Sequence, residues 1–341
     1  MKRLIGWVND VETVDLAAEA RATLESGDLA EWARIIQRVL FGDVIETPIP
    51  TVPPHEGADA NDAAGLHLGI PVYAMVLRPT DDQAAGWHQW VSGYHLRYHQ
   101  NTVSVNAVMA DLDRVHALGR KAGVVIAVHS EQSGPHTKYV RKVGDRLIPD
   151  YWSDKMFREW VTVRGKIIPR IKDHPALAWI GGDFGMDDES WPTKPWDDVP
   201  ADLRWRYAVR YQQAMWVLAR LAEPVPVLAQ AATMFKQGLD ILFFGNRAEH
   251  SPQNLGFKFN GFKPQSGMAP GLEERIKPYW EWCKINGRMV ALEPGMVPTG
   301  DVETDAADAI AMVGRAREWG AAFLNLQRGY LEALDKFGPR G

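Results

Sequence analysis

Short apolar runs alternate with longer amphipathic stretches along most of the chain. From residue 71 onward, Val72–Leu77, Val124–Val128, Ala176–Ile180, Pro226–Gln230, Leu239–Phe244, Arg288–Leu292 and Ala321–Leu326 read as strands. Uninterrupted apolar runs of this length suit strands buried on both faces, as in a parallel sheet. Between them, apolar residues recur every three or four positions. That spacing predicts helices over Val103–Lys121, Asp154–Lys172, Ala201–Leu221, Leu272–Asn286 and Ala306–Trp319, and a short last one over Tyr330–Phe337.

These elements make seven strand–helix cycles. An eighth strand is therefore sought in residues 1–70, where Arg3–Val8 and Asp43–Ile49 both have strand character. The first is favoured, with a helix over Leu16–Leu40 and a long irregular connection after it. Eight strands alternating with helices imply the α/β class and a closed (β/α)8 TIM barrel. An open doubly wound sheet would carry a glycine-rich phosphate turn after its first strand, and this chain has none. No low-complexity linker or break in composition divides residues 1–341, so a single domain is expected.

Composition narrows the function classes. With 341 residues, 46% of them hydrophobic, the chain can bury a large core. The net charge of −5 comes from acids and bases mixed along the chain, with no Lys/Arg-rich run, which argues against nucleic acid or an anionic membrane as partner. The one cysteine, Cys283, lies in an apolar-periodic stretch and is expected to be a packed thiol. The N-terminal apolar run breaks at Asn9 and Asp10, too early for a secretory signal. No stretch approaches the roughly 18 apolar residues of a membrane span. A cytoplasmic protein is expected. Among the 14 tryptophans, Trp87, Trp90, Trp152, Trp191 and Trp196 fall in polar connections. There they are expected to line a ligand surface, because a flat ring stacks on a sugar or base.

In a (β/α)8 barrel the residues just after each strand form the active face. Read in order, those positions bring Arg78, His129, Asp183, Glu189, Trp191, Gln230, Asn246, Glu293, Asn325 and Gln327 to one mouth. Glu189 follows the run Ala176–Ile180, and Glu293 closes Arg288–Leu292. Two carboxyl groups on either side of a scissile bond are what glycoside hydrolysis requires, one as acid and one as nucleophile or base. Arg78 or His129 is expected to hold the nucleophile ionised. Gln230, Asn246, Asn325 and Gln327 are expected to bind hydroxyls, Trp191 to stack or shield, and Asp183 to be the next candidate for the acid.

At these residues the chain resembles the retaining glycoside hydrolases of the barrel clan that includes β-galactosidases and cellulases. His174-Pro175-Ala176-Leu177-Ala178-Trp179 resembles the strand that leads to that clan's acid/base, and Ala291-Leu292-Glu293-Pro294-Gly295 resembles its nucleophile strand. The clan's Asn-Glu dipeptide is missing. Gly182-Asp183-Phe184-Gly185, with Glu189 and Trp191, takes its place. The resemblance implies a carbohydrate substrate, catalysis by Glu189 and Glu293, and no cofactor. A metal-dependent sugar isomerase or epimerase is the first alternative, with Glu131, His129, Glu189, Gln230 and Glu293 as possible ligands. No His-x-His pair occurs, so no catalytic metal is expected. A barrel that binds carbohydrate without cleaving it is the other alternative.

Overall fold

The computed structural model describes residues 68–76, 86–193, 198–231, 251–263, 267–268, 272–295 and 297–337. Eight parallel strands close into a barrel: β1 (Val72–Val76), β2 (Gly93–His99), β3 (Lys121–Ala127), β4 (Leu177–Gly182), β5 (Val227–Ala231), β6 (Leu255–Lys263), β7 (Val290–Pro294) and β8 (Leu324–Gln327). Tyr73 of β1 pairs with Asn325 of β8, and Gln230 of β5 pairs with Lys258 of β6, so the ring has no open edge. Among the described residues, six helices pack around it: α1 (Val105–Ala117), α2 (Asp154–Ile171), α3 (Ala201–Ala222), α4 (Leu272–Ile285), α5 (Val302–Trp319) and α6 (Arg328–Phe337). Their ends carry the expected chemistry. Ser104, Ser153 and Asp301 cap α1, α2 and α5 through side-chain oxygens, and Gly320 ends α5 in the left-handed region at φ 66°.

The single barrel is as the sequence implies, but two strand assignments differ. All eight strands lie between Val72 and Gln327, so closure needs none from residues 1–70. The strand unread in the sequence is β2, and the sixth place is taken by Leu255–Lys263 rather than Leu239–Phe244. Leu239–Phe244, Arg3–Val8 and Asp43–Ile49 lie outside the described residues. Both missed strands alternate instead of running apolar. Tyr94, Leu96 and Tyr98 alternate with His95, Arg97 and His99, while Phe257 and Phe259 alternate with Lys258 and Asn260. A period of two sends one set outward to the helices and the other into the barrel.

Outward-facing strand residues and the inner faces of the helices form one large core. Trp87, Trp90 and Trp191 belong to it, at 3%, 6% and 1% exposure, which corrects the expectation that they line a ligand surface. These rings fill the layer between sheet and helices. Trp152 is partly buried and donates its indole N–H to the carbonyl of Leu203 at 2.7 Å. Trp196 lies outside the described residues. Cys283 is fully buried in the core, as expected. No helix among the described residues is long and apolar enough to cross a membrane.

A second, smaller cluster fills the barrel itself: Tyr73, Val125, Trp179, Leu228, Ala291 and Phe323. Trp179 is its centre. Its ring stacks on Phe323 at 5.3 Å between centroids and meets Tyr73 edge-on at 6.0 Å. Glycine on the adjoining strand makes room for it. A Cβ built at Gly123 would stand 2.0 Å from two atoms of the indole. This plug is the floor under everything described below. Gly123→Ala is therefore expected to destabilise the fold by roughly 3 kcal/mol through overpacking, read as a lower urea midpoint at unchanged slope. A near-neutral Gly123→Ala would show that Trp179 can leave its slot.

Candidate active site

Two residues along each strand from the plug, the side chains become polar. Ala291 gives way to Glu293, Leu228 to Gln230 and Phe323 to Asn325, and β6 contributes Lys258 and Asn260. Gln230 and Glu293 are each one residue from the C-terminal end of their strand, the end where sites form in this fold. Glu293, Gln230, Lys258 and Asn325 are each 5% exposed or less. Buried polar groups at this density are sustained only by bonding one another.

Glu293 is the hub of that network. Its Oε2 accepts from Lys258 Nζ at 2.5 Å and from Asn325 Nδ2 at 3.0 Å, and its Oε1 accepts from Gln230 Nε2 at 3.3 Å. Lys258 is a cation buried to 2% exposure, and its Nζ also lies 5.6 Å from the ring centroid of Trp179. A Lys–Glu pair this dry is held by geometry and by the ring below, since desolvation of both charges opposes it. The expected partners of Glu293 were Arg78 or His129. Among the described residues, the buried cation on Glu293 is Lys258 of β6, and Arg78 lies outside them. Asn325 Nδ2 also meets His95 Nδ1 at 3.3 Å. Burial, then the charges of Lys258 and Arg97, push the His95 imidazole well below its ordinary range. A neutral ring that accepts at Nδ1 carries its proton on Nε2.

Glu189 reaches the same mouth by an unusual route. In the β4–β5 ladder, Gly181 pairs with Leu228 and Gly182 with Ala229, so Asp183 would next face Gln230. It does not. Asp183 is claimed by Arg164 of α2, which donates from Nε at 3.2 Å and Nη2 at 2.8 Å, and by the Ile126 N–H at 2.9 Å. The chain leaves the ladder, turns back at Met186–Glu189, and Glu189 takes the place opposite Gln230. Asp187 and Asp188 have φ of 52° and 67°, and Glu189 N–H bonds Met186 O at 3.0 Å, the pattern of a tight reversal with two left-handed central residues. Aspartate tolerates that region better than most side chains. Gly185 is required below the turn, because a Cβ there would stand 1.8 Å from the Glu189 carbonyl oxygen.

The two glutamates are bracketed reciprocally. Gln230 pairs through its backbone with Glu189 and donates its side-chain amide to Glu293. Asn260 pairs through its backbone with Glu293 and donates its side-chain amide to Glu189 Oε1 at 2.5 Å. Each carboxylate is thus aimed by the residue that lies beside the other. Of the other residues read from the sequence, Asn325 joins this network, and Gln327 ends β8 opposite Met75. His129 stands beside the reversal, paired with Met186 and 3.5 Å from the Tyr151 hydroxyl, and burial lowers its pKa to about 4. Asp183 and Trp191 are drawn into the scaffold, one by Arg164 and one by the core. Arg78 and Asn246 lie outside the described residues. Among the described residues, no group of three or more His, Cys, Asp or Glu is placed to hold a metal ion.

No family model matches the chain, and no curated protein does. Solved structures similar to it include an endo-glycoceramidase II from Rhodococcus sp. in a cellobiose-like imidazole complex, at 11% identity and a TM-score of 0.49, over 75% of this chain and 72% of that one. A hyperthermostable endo-1,4-β-D-mannanase from Thermotoga petrophila is similar at 11% identity and a TM-score of 0.49, over 76% of this chain and 87% of that one. At such identity no residue role passes from those enzymes to this chain.

Asp188 is the strained member of the reversal, electrostatically as well as in backbone. It is 4% exposed, and burial raises its carboxyl to about 6 although Arg97 Nε lies 3.1 Å from Oδ2. The folded pKa stands above the ordinary carboxylate value, so the stabilising contribution is complete at acid pH and is lost as pH rises through about 6. Asp188→Asn keeps the left-handed tolerance and removes the titration. Relative to the parent, its stability is expected to improve by on the order of 2–3 kcal/mol between pH 4 and pH 7. Paired urea melts at the two pH values measure this, and an advantage that does not grow with pH contradicts it.

Proposed function

We propose that the protein is a retaining glycoside hydrolase in which Glu293 is the nucleophile and Glu189 the acid/base. The observation that carries this reading is the reciprocal bracket: two carboxyl groups at one barrel mouth, each aimed by a neutral amide from beside the other. Their surroundings divide the roles. Glu293 stands 2.5 Å from the buried ammonium of Lys258, a charge partner for the carboxylate that attacks carbon. Glu189 Oε1 accepts a neutral amide, that of Asn260, and the proton-carrying role falls to it as the other member of the pair.

The chemistry then takes two steps. Glu293 Oε1 bonds the anomeric carbon as the bond to the leaving oxygen breaks, and Glu189 gives that oxygen its proton. Water then attacks the same carbon, Glu189 takes the water's proton, and the bond to Glu293 breaks. Two inversions give net retention, which requires carboxyl groups about 5–5.5 Å apart rather than the wider spacing that admits a water. A carbohydrate is the substrate class that suits a mouth presenting the amides of Gln230, Asn260 and Asn325 beside the two carboxyl groups.

Glu293→Gln is expected to abolish turnover of aryl glycosides and, because it leaves Lys258 a buried cation without its carboxylate, to lower the melting temperature while the fold is kept. Glu189→Gln should slow substrates with poor leaving groups about 10²–10⁴-fold and spare activated ones, because only the former need a proton. Azide should restore Glu189→Ala with the retained anomer of the glycosyl azide and Glu293→Ala with the inverted one, read by proton NMR. Normal hydrolysis by both variants, or no turnover of any glycoside by the parent, removes the assignment.

A further inference from the structure

The two oxygens of Glu293 are unequal. Oε2 carries both the ammonium of Lys258 at 2.5 Å and the amide of Asn325 at 3.0 Å, whereas Oε1 carries the longer bond from Gln230 at 3.3 Å. A lone pair already committed to an ammonium is a poor nucleophile, so the attacking atom is Oε1 and Oε2 is the fixed one. We propose that Lys258 is a positioning residue that disfavours the covalent glycosyl-enzyme and drives its hydrolysis. This rests on the two-glutamate reading above and adds to it a residue on a strand that the chain's apolar pattern does not reveal.

The argument is electrostatic. In the free enzyme Lys258 and Glu293 neutralise each other at 2% and 7% side-chain exposure. When Oε1 bonds the anomeric carbon, the Glu293 carboxylate becomes a neutral ester, and because Glu189 protonates the leaving group the negative charge passes to Glu189 across the mouth. Lys258 then keeps its charge but loses the carboxylate in contact with it, and parting a buried cation from its contacting partner is unfavourable even with the anion now on Glu189. The face of Trp179 at 5.6 Å and the carbonyl oxygen of the ester offset only part of that cost. The penalty is released when water displaces Glu293 and the carboxylate re-forms against the ammonium. The pair therefore raises the energy of the intermediate relative to the states on either side of it. Its direct effect falls on the second chemical step more than on the first.

The test is the division between kcat and KM with an activated aryl glycoside, whose first step is fast. In Lys258→Gln the uncharged side chain keeps a donor for Oε2 and imposes no penalty on the ester. Its kcat and KM are expected to fall together, each about tenfold, with kcat/KM within a few-fold of the parent. Intact mass measured during turnover should then show a glycosyl adduct on the variant. Lys258→Arg, which retains the charge, should show neither the adduct nor the parallel fall. A fall in kcat at constant KM with no adduct overturns the proposal while the two-glutamate reading stands. The parent gives an answer of its own if Lys258→Gln does not fold. Rapid mixing with a dinitrophenyl glycoside is expected to show no burst, and a stoichiometric burst overturns the proposal. A parent that cleaves no glycoside removes the underlying reading, and this proposal with it.

Discussion

The ion pair between Arg164 and Asp183 is the constraint on which the mouth depends. Both residues are about 1% exposed. The guanidinium donates twice to Asp183, once to Gln100 Oε1 at 2.5 Å and once to the carbonyl of Ile126, and it stacks on Trp160 at 4.2 Å. One side chain of α2 thereby fastens the residue after β2, the interior of β3 and the residue after β4. Burying such a pair gains little over apolar packing, but breaking it strands a charge at a cost of about 3–5 kcal/mol. Its role is to specify. Because Asp183 is held by Arg164, the chain cannot continue the β4 ladder, and the reversal that follows returns Glu189 to the vacated place opposite Gln230.

Below the mouth, Trp179 sets the depth. Its ring occupies the space that Gly123 leaves, and it carries His95 at 5.1 Å and the Lys258 ammonium at 5.6 Å on its upper side. The boundary between apolar plug and polar layer is therefore one strand repeat thick. Lys258 can be a buried cation here because it meets an aromatic face on one side and a carboxylate on the other. Asn325 couples the same carboxylate to His95, which the Lys258 charge helps to keep neutral. The polar layer behaves as one unit, in which each group's state is set by the next.

Much of this was legible in the sequence, and the failures share one cause. The barrel, six of its strands and the mouth positions of Glu189, Gln230, Glu293, Asn325 and Gln327 follow from apolar runs separated by amphipathic helices. β2 and β6 escaped because their inward residues are polar, so they alternate where the other strands are continuous. Those are the strands that supply His95, Arg97, Lys258 and Asn260. The strands richest in site chemistry are thus the hardest to see by apolar content, and period-two alternation in Gly93–His99 and Leu255–Lys263 was the available signal. Trp191 and Asp183 were misjudged for a different reason. Nothing local in a sequence says that a polar loop folds back into the core, or that an arginine 19 positions upstream claims an aspartate.

The backbone reaches Glu189 by a reversal. Glu189 stands at the ladder position after Gly182, but it arrives from a reversal and not along a continuous strand. The residue before it, Asp188, is therefore held left-handed against Arg97 instead of extended along β4. An extended residue at that place would direct its side chain to the opposite face of the strand from Glu189. The amide that meets Glu189 comes from β6, through Asn260, at a point where the β6–β7 register shifts between Asn260 and Phe262. A shift of this kind re-aims the side chain beside it. The chain therefore places its two carboxyl groups by a reversal on one side and an irregular strand on the other. Both devices depend on backbone geometry more than on the identity of the residue next to the glutamate.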